Sequence, residues 1–156
     1  MRAARARRVG VGILGGGRAG ELSISEYSFG AIGTLNGALA QADALGIFGW
    51  QGVDLATLWD PPTPTDPGAF AFRMYRNCDG RGSAFGDVAV GLRSRSPGAL
   101  AVYAAQRTSD GALSVIVINK TRAAIVHGPN VTRTATGWSA TYPANSITLL
   151  VIPKKR

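Results

Sequence analysis

Two glutamates, Glu21 and Glu26, one histidine and one cysteine are present in the 156 residues, so acid–base and nucleophilic chemistry have few candidate groups. The single His127 argues against a histidine-based triad or a His-rich metal site, because no Asp or Ser pattern around it follows triad logic. It reads as a strand-end or loop residue. The single Cys78 excludes an internal disulfide and a multi-Cys zinc cage, and reads as a small half-buried packing residue. Glu26 is different. It closes one face of the alternating run Leu22 to Tyr27, at what should be the C-terminal end of a parallel strand, where barrel enzymes hold catalytic groups. Trp59 ends the following strand beside Asp60 and a proline loop, as an aromatic would if it stacked on a sugar ring. From pattern alone a plainer reading stands beside this one, with Trp59 a core residue at the strand exit and Glu26 a solvated strand-end carboxylate.

The elements that must position these residues follow from periodicity. Leu22 to Tyr27 alternates as a strand. Leu35, Leu39, Ala42, Leu45 and Phe48 recur at spacings of three and four, which predicts an amphipathic helix, and Val53 to Trp59 reads as a second buried strand. Strand, helix and strand in this order form a βαβ unit with parallel strands. The run from Pro61 to Gly68 is a stiff, extended loop, and Ala69 to Asn77 resumes a helical pattern. Gly80 to Gly86 is rich in turn residues and marks a boundary. Beyond it the period becomes two: Phe85 to Leu92, Ala99 to Arg107, Leu113 to Asn119, Ala123 to His127, Trp138 to Tyr142 and Ile147 to Ile152 are short runs separated by turn-forming residues. The expected fold class is α/β plus all-β, with an antiparallel β-sandwich following the βα units.

Composition bounds the function classes. The formal net charge is +8, yet residues 1–20 and the last three residues carry all of the excess, and the body between Glu21 and Pro153 is formally neutral. A nucleic-acid binder would gather its positive charge on a folded face, so no nucleic-acid partner is expected. The longest uncharged apolar stretches, such as Val9 to Gly17, fall well short of the ~20 residues of a membrane span, so no membrane partner is expected either. Residues 1–20 form a basic, Gly/Arg-rich tail unlike the rest. It matches a signal peptide only in its basic start, and its Gly10 to Gly15 GxGxxG follows no buried strand. Two Asn-x-Thr triplets, at Asn119 and Asn130, read as chance occurrences.

Leu22-Ser23-Ile24-Ser25-Glu26-Tyr27-Ser28-Phe29-Gly30, Asn36-Gly37-Ala38-Leu39-Ala40-Gln41-Ala42-Asp43 with Leu45-Gly46-Ile47-Phe48-Gly49, and Gly52-Val53-Asp54-Leu55-Ala56-Thr57-Leu58-Trp59 resemble the end of the catalytic domain in glycoside hydrolase family 44. The similarity continues through Gly68 to Asn77, Ser109 to Leu113 and Val117 to Lys120, and reappears from Pro143 to Pro153. It covers about residues 22–153 and is weakest between Thr121 and Gly137.

This resemblance implies a retaining endo-β-1,4-glucanase with cellulose or xyloglucan-type β-glucan polysaccharide as its partner; no cofactor is expected, and no metal site among these residues. It implies a (β/α)8 barrel, of which residues 21–80 would be the last two βα units, followed by a β-sandwich over residues 81–156. Glu26 matches the family's nucleophile, Trp59 the aromatic under a glucose near the cleavage point, and Tyr27 belongs to the nucleophile motif as a further substrate-site residue. Cys78 stands where the family often has tyrosine. Export is implied by the polymeric substrate. The family's Asn-Glu acid/base motif is absent from these residues. A retaining glycosidase needs two carboxyls about 5–5.5 Å apart, and Glu21, five residues back at about 3.3 Å each, would lie roughly 16 Å from Glu26 on the opposite face. Asp60 could approach Glu26 across strand ends, but a solvated aspartate has no evident means of raising its pKa. The 156 residues are therefore expected to be inactive alone. The competing readings are a non-catalytic β-sandwich module that binds carbohydrate or serves as a spacer, and a hydrolase assembled from several chains.

Overall fold

The computed structural model describes residues 22–126, 132–134 and 137–154. The basic tail, Glu21, His127 and Asn130 lie outside the described residues. β1 (Leu22–Tyr27) pairs in parallel with β2 (Val53–Leu58), and α1 (Leu35–Gln51) makes the crossover between them. α2 (Pro67–Arg76) follows. β3 (Val88–Val90), β4 (Leu100–Gln106), β5 (Leu113–Asn119) and the late strand β10 (Ser146–Ile152) form one antiparallel sheet in the order β10-β5-β4-β3. Two small ribbons complete the fold, β6 (Ile125–Val126) with β9 (Thr141–Tyr142) and β7 (Thr132–Thr134) with β8 (Gly137–Ser139).

Local chemistry sets the helix ends. Thr34 caps α1, its Oγ1 accepting the Gly37 N–H at 3.1 Å, a bond that satisfies one of the orphan donors of a helix start. Gly52 stops the helix in a left-handed conformation at φ 72°, which a residue without a Cβ adopts at little cost. α2 starts on Pro67, whose missing N–H is no loss in the first turn, and ends with Arg73 and Arg76 near its negative pole.

The helices and the antiparallel sheet share one core. Leu39 and Ala42 of α1 and Ala71 and Tyr75 of α2 pack with Ala101 of β4 and Ile116 and Ile118 of β5. Alternation along the strands sends the other side chains, among them Val102, Ala104, Val115 and Val117, to the opposite face, where they meet Tyr142 and Leu150. α1 is thus enclosed on several sides. Its Gln41 and Phe48 meet Tyr27 of β1, its Ala42 carbonyl accepts from Tyr75 Oη of α2 at 2.8 Å, and its Gly46 lies against the Tyr103 ring of β4. Its buried positions include the small residues Gly37, Ala38, Ala42 and Gly46, which let its neighbours approach closely.

Four expectations change. Leu35 is exposed, so the buried stripe of α1 begins at Gly37. The run from Phe85 to Leu92 yields only the three-residue β3. The run from Trp138 to Tyr142 is divided between β8 and β9, which pair with different partners, and the strand β7 was not anticipated. Cys78 is exposed. The βαβ unit leaves Leu22, Leu55, Ile47 and Trp50 exposed.

Candidate active site

Parallel pairing brings the C-terminal ends of β1 and β2 side by side. The pairing runs one residue past β2, where the Trp59 N–H donates to the Tyr27 carbonyl at 3.0 Å. Glu26, Tyr27 and Trp59 therefore share one end of the parallel pair. The register shifts between Ile24 and Tyr27, across Ser25 and Glu26. Such irregular steps re-aim side chains at strand ends. Glu26 is exposed and has no hydrogen bond or ion pair among the described residues. Trp59 is 61% exposed, a large apolar ring presented to solvent at the same end of the strand pair.

Tyr27 faces the helix. Its hydroxyl accepts from Gln41 Nε2 at 2.8 Å, and its ring packs edge-on against Phe48 with centroids 5.2 Å apart. Burial pushes the Tyr27 phenol up from its ordinary value, and the Gln41 bond partly offsets this. The side chain is thus committed to packing beneath the strand end, while Glu26 and Trp59 remain open. Gln41 was not anticipated as part of this support. It is fully buried, and a polar residue three positions after Ala38 was the available sign that the helix stripe needed a polar partner.

The loop after β1 closes the other side of the strand ends. Ser28, Phe29, Gly30, Ala31 and Ile32, with Leu58 and Asp60, line a cavity of about 110 Å³. Ala31 holds φ at 53°, a left-handed conformation that costs an L-residue about 1 kcal/mol or more. Its surroundings enforce it: the Ala31 carbonyl accepts from both the backbone N–H and the Oγ1 of Thr34, and the Ile32 carbonyl accepts from Gly68 N. The starts of both helices therefore hold this loop. Among the described residues no group of three or more His, Cys, Asp or Glu side chains is placed to hold a metal ion.

Away from this end, Asp43 joins α1 to the sheet. Its Oδ1 accepts from Tyr103 Oη at 2.6 Å and its Oδ2 from Lys120 Nζ at 2.7 Å. Asn119 is fully buried, donates to the carbonyls of Ala123, Tyr142 and Pro143, and accepts from Thr121. A side chain so engaged is a structural hub, which accords with reading the Asn119 triplet as chance.

No protein-family model matches the chain. Endoglucanase A of Paenibacillus lautus is 39% identical over 101 residues, which are 64% of this chain and 14% of that protein. A bifunctional glucanase-xylanase from a metagenome library has a similar structure, with a TM-score of 0.80 and 39% identity over 88% of this chain and 32% of its own. The crystal structure of a glycoside hydrolase family 44 endoglucanase produced by Clostridium acetobutylium gives a TM-score of 0.73 and 27% identity over 85% of this chain and 32% of its own. The chain spans about a third of these solved relatives and a smaller share of the curated one. The chain is thus similar in sequence to an endoglucanase and in structure to a glycoside hydrolase family 44 endoglucanase.

Proposed function

We propose that these residues are part of a retaining β-glucan hydrolase, with Glu26 as the nucleophile and Trp59 as the platform for a glucose ring. In this reading β1, α1, β2 and α2 are two consecutive units of a (β/α)8 barrel, and the antiparallel β-module after residue 80 is a scaffold packed on their helices. The observation that carries it is the Trp59 N–H to Tyr27 carbonyl bond, which holds an exposed indole at the strand end that bears Glu26. Active groups at the C-terminal ends of parallel strands are the rule in barrel enzymes. A retaining mechanism also requires a second carboxyl to protonate the leaving oxygen, and the family's motif for it does not occur in these residues. The 156 residues alone therefore bind β-glucan without cleaving it.

Affinity electrophoresis of the 156-residue chain in gels containing soluble β-glucan tests this. The wild type and Glu26→Gln are expected to be retarded alike, and Trp59→Ala to lose about thirtyfold in affinity, the typical effect of removing an anchoring tryptophan. Release of reducing ends by the wild type, abolished in Glu26→Gln, would show that the chain cleaves unaided. Retardation unchanged by Trp59→Ala would move the glucan site to the β-module. The shared core of helices and sheet favours the scaffold role for that module.

A further inference from the structure

The 17-residue α1 carries the chain from the C-terminal end of β1 back to the start of β2. At about 1.5 Å per residue, its last turn lies roughly 25 Å from the end that bears Glu26 and Trp59. There, Ile47 and Trp50 of α1, Leu92, Arg93 and Pro97 of the loop between β3 and β4, and Val102 of β4 line a cavity of about 310 Å³. Ile47, Trp50 and Leu92 are exposed, so apolar surface is gathered in one concave place instead of being scattered singly. The Arg93 guanidinium lies 5.9 Å from the centroid of the Trp50 ring, within cation–π reach. Among the described residues it is the only charged side chain that lines the cavity, and it makes no ion pair. The neighbouring hydroxyls are engaged elsewhere: Tyr103 Oη donates to Asp43 Oδ1 at 2.6 Å, and Ser94 Oγ accepts from the Ser96 N–H at 3.1 Å.

We infer that this cavity binds a planar aromatic carboxylate of the size of cinnamate, with its ring against Trp50 and its carboxylate on Arg93. Charge complementarity selects the anion: the guanidinium stands beside an apolar wall without an acid of its own, and its planar fork matches a carboxylate through two parallel hydrogen bonds. Volume selects the size. Benzene alone fills a cavity of about 150 Å³, and the space here is roughly twice that, which suits a ring with a short carboxylate arm. Trp50 favours an aromatic ring over a saturated chain, because ring pairs gain more than their buried area supplies. The site is separate from the strand ends and does not depend on the β-glucan reading.

Isothermal titration of the 156-residue chain with cinnamate and with cinnamamide, which has the same shape without the charge, tests the inference. Cinnamate is expected to bind about tenfold more tightly, the effect of hydrogen bonding between charged groups. Arg93→Gln, a change at an exposed position, should bring cinnamate down to the cinnamamide affinity. Trp50→Ala should weaken both ligands about tenfold. Octanoate, an aliphatic acid of similar length, should bind more weakly than cinnamate. No saturable binding of cinnamate, equal affinities for acid and amide, an Arg93→Gln chain that keeps the tenfold ratio, or tighter binding of octanoate would overturn the inference. Cinnamate binding lost in Trp59→Ala would place the acid at the strand ends and overturn it as well.

Discussion

Tyr27 and Gln41 form a part-buried polar pair beneath the open strand end that bears Glu26. Gln41 is fully buried, its Nε2 donates to Tyr27 Oη, and its Oε1 has no partner among the described residues. Removing one member of such a pair leaves the other desolvated and unpaired, whereas removing both together is close to neutral. Tyr27→Phe is expected to lower the unfolding free energy by about 2 kcal/mol, within the usual cost of an orphaned buried polar group. Adding Gln41→Met should recover most of it, giving a favourable coupling in a double-mutant cycle read from urea midpoints. Additive losses would show that the bond contributes little.

At the scale of elements, α1 decides the geometry. It touches β1 through Gln41 and Phe48, α2 through Ala42, and β4 and β5 through Asp43 and Gly46. At Gly46 an added Cβ would sit 2.3 Å from Cδ2 of Tyr103, closer than real carbon atoms approach. Tyr103 is held by its bond to Asp43, so its ring has little freedom to give way. Gly46→Ala is therefore expected to destabilise the chain by about 1–3 kcal/mol, the usual cost of overpacking, despite the better helix propensity of alanine. The midpoint of denaturant unfolding measures this, and an unchanged or raised midpoint would show that helix and sheet can separate at no cost.

Over the whole molecule, all four tyrosines are held neutral. Burial raises the phenol pKa of Tyr75 and Tyr103 most strongly, with Asp43 adding to both, and burial raises Tyr27 and Tyr142 as well. A group whose folded pKa lies above its unfolded value contributes stability that is complete below the unfolded pKa. Here that value is about 10, and the contribution is lost as the pH rises through it towards the folded values. Stability should fall above about pH 10, with phenolate absorbance appearing together with loss of the fold. Four tyrosines that ionise near their ordinary value in an intact chain would contradict this.

How much could be read from the sequence varies with the kind of interaction. β1, α1, β2, α2, β4, β5 and β10 were legible because local periodicity encodes them. The resemblance carried by the Glu26 and Trp59 segments names the family of a solved structure to which the chain is similar. Leu35 misled because an apolar residue at helix spacing can equally face water, and only the neighbours of α1 decide which side is enclosed. The run from Trp138 to Tyr142 misled because strand pairing is non-local: one apolar segment serves two ribbons. The role of Gln41, the Asp43–Tyr103–Lys120 junction and the cavity at Asp60 depend on groups up to 77 residues apart in the chain. Residue types and periods by themselves thus determined most of the elements and marked Glu26 and Trp59 as strand-end candidates, and the resemblance supplied the chemistry expected there. Only the tertiary structure decided that the helices and the sheet share one core and that Tyr27 turns to α1, because burial and hydrogen-bond partners are set by what packs across the fold.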